Sequence, residues 1–171
     1  MKKIRQGVFE TNSSSTHTIC IAKKINPELP ERIHFNFGEY GWENGVLKTK
    51  QQKANYLYTG LIFLDRKNDA ENIFKTLNSK GIKVTAQQPL DTKLRTDNPL
   101  LAFEYISDDK NGYIDHGDNL VEFLDAVCTK EDELMSYLFS ELSHVITGND
   151  NDGEMRELII DYPNVKYYKG N

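Results

Sequence analysis

Cysteine is scarce in this chain of 171 residues, with only Cys20 and Cys128, far apart. That count excludes a disulfide framework and the spacing excludes a zinc knuckle, so both are read as buried, reduced thiols. Glycine (11) and proline (5) are too few and too scattered for a fibrous repeat or a Pro/Gly-rich disordered chain. Long apolar runs are missing as well. Leu61 to Leu64 and Leu158 to Ile160 fall far short of the roughly 20 residues that cross a bilayer. The basic start, Met1 to Gln6, has no apolar stretch of about 7–15 residues behind it, so a secretory signal is not expected and the chain is read as cytoplasmic. No Walker loop, G-x-S-x-G elbow, H-E-x-x-H helix or dinucleotide fingerprint occurs.

What is there is apolar and charged enough to fold: 38% hydrophobic, 27% charged and 11% aromatic. The net charge of −5 hides a gradient. Residues 1–53 hold nine Lys/Arg against five Asp/Glu, whereas residues 101–160 hold three against fifteen. Such an acidic segment repels itself unless it folds against positive charge, for which the basic first third is the obvious counterpart. Two uses of it stay open: a solvated helical face, or a surface that meets a basic partner such as the nucleic-acid channel of another protein.

Periodicity divides the chain into alternating elements. Thr16 to Ala22 and Arg32 to Phe37 read as strands, with His17, Ile19 and Ile21 sharing one face. Ala54, Leu57, Tyr58, Leu61 and Ile62 give a helix over 49–64, weakened by Gly60; Asn68 or Asp69 caps a second helix that Gly81 stops. Strands follow at 82–86 and 100–106, the latter after a connector between Pro89 and Pro99. Leu120 to Val127 predicts a short helix, and Thr129 with Asp132 resembles a capping box opening a helix over 130–142. A strand at 143–147, a turn, a short helix at 154–160 and a strand at 164–168 complete a single α+β domain over 1–171, its sheet mixed but mostly antiparallel, its helices largely on one side.

Four polar blocks could carry chemistry. In Glu10 to His17, the run Asn12, Ser13, Ser14, Ser15 precedes a strand and could aim several N–H and O–H donors at a phosphate; an ordinary Asx or Ser turn is the local alternative. Asp115 and His116, among glycines, suit proton transfer or a surface loop, and they leave a divalent metal open. Thr147 to Gly153, with Asn149 and Asp150, does not meet the calcium-loop spacing; it remains an Asx-rich turn or a pocket lining. In Phe37 to Glu43, Tyr40 or Trp42 could stack on a base or sugar, or Trp42 could be a core lid. Joined in space, His17 and His116 would act as base and acid on a phosphodiester, with the serine loop on the phosphate and Asp115 or Asp150 orienting an imidazole.

The opening Gly7-Val8-Phe9-Glu10-Thr11-Asn12-Ser13-Ser14-Ser15-Thr16-His17 resembles that of a family of small uncharacterised proteins of bacteriophages and integrated mobile elements. Phe37 to Glu43, Tyr113 to His116 and Ile146 to Asn151 are similar to further blocks of it. The resemblance implies no activity that transfers residue by residue. It implies a setting, in which small accessory proteins antagonise host defence, and the size and charge are similar to those of anti-CRISPR proteins acting on Cas9-type effectors. Two expectations follow: a ribonuclease-like enzyme acting on RNA such as a guide RNA, or a non-enzymatic acidic protein that blocks the nucleic-acid channel of a host nuclease.

Overall fold

The computed structural model describes residues 15–23, 26–41, 45–89, 111–115, 120–149 and 165–169. The expected strand at 100–106 and helix at 154–160 lie outside them. The described elements run β1 (Ser15–Ala22), β2 (Arg32–Phe35), β3 (Glu39–Tyr40), β4 (Gly45–Leu47), α1 (Lys50–Phe63), α2 (Lys67–Ser79), β5 (Lys83–Ala86), β6 (Tyr113–Ile114), α3 (Leu120–Thr129), α4 (Glu131–Phe139), β7 (His144–Asn149) and β8 (Val165–Lys169).

The fold is α+β. Four strands form one antiparallel sheet in the order β4-β7-β1-β8, while β2–β5 and β3–β6 are separate parallel pairs. Period two in β1 sends His17, Ile19 and Ile21 to one face, where Ile19 and Ile21 join Val145 and Tyr168 in a core shared with α1, α3 and α4. Cys20 and Ile146 point the other way and are also buried, so both faces of the central strands are covered.

Helix α1 begins with a capping box that sequence reading passed over. Thr49 Oγ1 accepts from the Gln52 amide at 3.2 Å, and the Gln52 side chain accepts from the Thr49 amide at 3.1 Å. Gly60, expected to weaken the helix, instead lets α3 approach: a Cβ there would lie 3.0 Å from Leu120. Two expected caps are corrected. Asn68 and Asp69 lie inside the first turn of α2, where Asp69 takes the Arg66 guanidinium at 2.6 Å. Thr129 closes α3 by donating to the Asp125 carbonyl at 2.6 Å, and α4 starts at Lys130 without a side-chain cap, running only to Phe139 rather than to 142.

Among the described residues the acidic helices are met mainly by cations beyond the basic first third: Arg66 bridges Asp69 and Asp125 and Lys80 pairs with Glu131 at 2.5 Å, while from the first third Lys23 lies 4.0 Å from Asp132. Glu133 is buried. Each exposed pair contributes little by itself, but together they relieve the self-repulsion of α3 and α4.

Candidate functional site: the polar end of the four-stranded sheet

Register brings distant polar blocks together. Across β1 and β7, Ser15 faces Asn149, Thr16 faces Gly148 and His17 faces Thr147, while Gly45 of β4 lies opposite Thr147 on the other side. β7 extends to Asn149, so Gly148 and Asn149 are strand residues where the sequence predicts a turn after 147; Ser15 and Asn149 are therefore neighbours at one sheet end, with β4 entering beside them. Asn12, Ser13, Ser14, Trp42, His116 and Asp150 lie outside the described residues.

His17 is fully buried, not presented to solvent. Its Nδ1 lies 3.1 Å from the Tyr56 hydroxyl, a hydrogen bond whose direction follows the imidazole tautomer. Tyr56 is itself fully buried on α1, and burial raises its phenol well above the ordinary range. A buried phenol that stays protonated is a fixed hydrogen-bonding post for the ring of His17. Removing the imidazole with His17→Leu strands that hydroxyl and is expected to cost about 1–3 kcal/mol in thermal or denaturant unfolding. Activity lost in such a variant would report packing.

Tyr56 links this interior to the small β3–β6 pair. Its ring meets that of Tyr40 edge-on, centroids 5.0 Å apart, and the Tyr40 carbonyl accepts from the Asp115 amide at 2.8 Å. The expected stacking role of Tyr40 is not what its side chain does here: it folds back over Gly38, where a Cβ would come within 2.5 Å of its hydroxyl oxygen, and burial pushes its phenol up to about 12. In the β3–β6 pair Tyr113 is exposed, at 36% of its surface. Its ring and the Asp115 Cβ both close on Gly41, 3.5 and 3.6 Å from where a Cβ would stand. The half-buried Asp115 thus sits two residues beyond the exposed Tyr113.

The structure therefore connects His17, Tyr40 and Asp115 through Tyr56, and places the backbones of Ser15 and Asn149 side by side. Sequence reading missed Tyr56 and Tyr113, and also Lys53, whose side chain is 1% exposed. Lys53 Nζ donates to the Ser140 carbonyl at 2.7 Å, and its own carbonyl accepts from Tyr137 Oη at 3.0 Å. Burial, and then the neighbouring Lys50, lower its amine to about 8. The thiols are inert by the same physics. Cys20 is buried and Cys128 half-buried, both are free, and burial pushes each up to about 11.

Among the described residues no cluster of His, Cys, Asp and Glu could hold a metal ion, and no helix is long and apolar enough to cross a membrane. No protein-family model, curated protein or solved structure matches the chain.

Proposed function

We propose that the chain is an accessory protein of a bacteriophage or mobile element that antagonises host defence by acting on RNA, and that it engages RNA at the polar end of the four-stranded sheet. The observation that supports this reading is the register of β1 on β7, which sets Ser15, the last residue of the serine run, opposite Asn149 and next to Gly148. A phosphate needs convergent N–H and O–H donors, which polar blocks rich in Ser and Asn supply. A base needs an accessible aromatic face, which Tyr113 offers. When a ribose 2′-hydroxyl attacks the adjacent phosphate, the bond to the next nucleotide's 5′-oxygen breaks, so one group must take the hydroxyl proton and another give a proton to the leaving oxygen; Asp115 with its neighbour His116 is the pair for these two roles. His17 acts as a positioning residue, holding Tyr56 and through it the β3–β6 pair. The setting comes from the resemblance of the opening block, and it makes the guide RNA of a Cas9-type effector the first substrate to try.

The second reading is an acidic surface over residues 101–160 that occupies a nucleic-acid channel. Asp125, Glu131 and Asp132 meet Arg66, Lys80 and Lys23, and Glu133 is buried; these are four of the fifteen carboxylates of that region.

The test is a labelled guide RNA, alone and loaded on the effector, incubated with the full chain with and without EDTA. Multiple-turnover cleavage is expected, slowed by about 10²-fold or more in Asp115→Asn and lost in Tyr113→Ala through binding; EDTA sensitivity would add a metal. Intact RNA with stoichiometric loss of effector activity would hand the function to the acidic surface. Intact RNA with an unaffected effector would remove the reading.

A further inference from the structure

The outer face of the β2–β5 ribbon carries a charge arrangement that the polar end of the sheet does not explain. The two strands run parallel with Arg32 opposite Lys83 and His34 opposite Thr85. Ile33 and Phe35 are buried on the inner face, against Tyr58 and Phe74. Alternation puts Arg32, His34, Lys83 and Thr85 together on the outer face, and all four are exposed.

Like charges directly opposite on neighbouring strands destabilise a ladder. Among the described residues the two cations also lack a carboxylate partner. The ion pairs among the described residues engage Lys23, Arg66, Lys67 and Lys80, and none reaches Arg32 or Lys83. In a chain of net charge −5, acids to neutralise them were abundant. Glu28 and Glu31, just before β2 in the chain, contribute backbone: the Glu28 carbonyl accepts from Lys50 Nζ at 3.0 Å, and the Glu31 carbonyl from the Lys83 amide at 2.9 Å. The first of these holds a third cation, Lys50, at the start of α1. The face is also held in place. His34 Nδ1 lies 2.7 Å from Thr85 Oγ1, and the Gln51 amide donates to the His34 carbonyl, which fixes the start of α1 against β2.

We propose that this ribbon face binds the sugar-phosphate backbone of single-stranded nucleic acid, Arg32 and Lys83 each meeting a phosphate and His34 and Thr85 hydrogen-bonding between them. All four outward side chains are polar, so the face offers neither the apolar anchors of a peptide interface nor an apolar edge to enter a lipid surface. Regularly spaced phosphates are the ligand that two fixed, unneutralised cations on adjacent strands fit. The inference rests on the ribbon alone and survives the failure of the polar-end reading.

The experiment is fluorescence anisotropy of a labelled oligouridylate, whose bases stack weakly, with the full chain over a range of salt. The double variant Arg32→Gln/Lys83→Gln is expected to bind about tenfold or more weakly, with the slope of log K against log salt smaller by about 1.4, near 0.7 for each phosphate contact on a single strand. Without RNA its thermal midpoint should equal or exceed that of the wild type, because a repulsion has been removed; a purely structural role for the pair predicts a lower one and would count against the proposal. Tyr113→Ala should keep the wild-type slope, which separates this face from the polar end. Unchanged affinity and slope in the double variant would overturn the proposal, as would polyglutamate displacing the oligonucleotide at equal charge, which would assign the face to an acidic protein.

Discussion

Gly112→Ala is expected to destabilise the protein by about 3 kcal/mol and to abolish action on RNA. Gly112 has φ +66°, a conformation that costs a residue with a Cβ about 1–2 kcal/mol. The added methyl would also overlap the Gly38 carbonyl oxygen and stand 2.9 Å from the Gly38 nitrogen, backbone atoms that cannot swing aside, and overpacking of this kind costs about 1–3 kcal/mol more. The strain falls where function is proposed. Gly38 receives the Tyr113 amide at 3.1 Å, so separating the two glycines unzips β3 from β6 and carries Tyr113 and Asp115 away from Tyr40 and Gly41. Gly81 is the internal control: φ is +83°, but nothing lies within 4 Å of its would-be Cβ. Gly81→Ala should therefore cost only the backbone strain, about 1–2 kcal/mol, and leave RNA activity intact. Denaturant unfolding beside the cleavage assay checks both; equal losses in the two variants would contradict this account of the β3–β6 junction.

The second large effect concerns Lys53. Its amine falls from 10.5 to about 8 in the folded protein because burial penalises the charge, a shift equivalent to about 3 kcal/mol. Below pH 8 both folded and unfolded chains hold the proton and the penalty is present in full. Between about 8 and 10.5 the folded chain has released it while the unfolded chain keeps it, so this group makes stability rise with pH. Cys20 and Tyr40 act oppositely: their raised folded values, about 11 and about 12, contribute stability that is present below the unfolded values and lost as pH rises through the folded ones. Those groups are present in Lys53→Met as well, so comparison with that variant isolates the lysine. Lys53→Met loses the bond to the Ser140 carbonyl but also the buried charge, and should be more stable than wild type by about 1–2 kcal/mol at pH 7. On going to pH 10.5 the wild type should gain about 3 kcal/mol relative to the variant, so the advantage reverses and the wild type becomes the more stable by about 1–2 kcal/mol. Parallel stability curves for the two proteins over this range would show that Lys53 carries no such penalty.

Lys53 also shows where sequence reading stopped. The stripe Ala54, Leu57, Tyr58, Leu61 located α1, but the helix buries Lys53, Tyr56 and Gly60 as well, so its surroundings close over more than one face and the single-stripe pattern understates its core. A lysine in such a helix reads as solvent-facing because its charge is the stronger signal. β1, β2, α2 and α3 were legible because each keeps one period over enough residues to see it. β3, β4 and β6 have two or three residues apiece, too few for any period, and the parallel pairs β3–β6 and β2–β5 join segments about fifty to seventy positions apart, a pairing that no local pattern encodes. Of the candidate site, the polar blocks were legible as blocks; their meeting at one sheet end was not. His17 was legible as a special residue, but whether a histidine at the start of a strand faces a substrate or a tyrosine depends on what packs over it, here Tyr56 from α1.

The central claim is that the polar end of the sheet engages RNA, and hydrogen exchange of the full chain with and without a guide RNA tests it most directly. Slower exchange at 113–115 and 145–149 in the presence of RNA is the predicted result, since those amides border the site. Unchanged exchange there, with protection confined to α3 and α4, would contradict it and place the partner on the acidic helices.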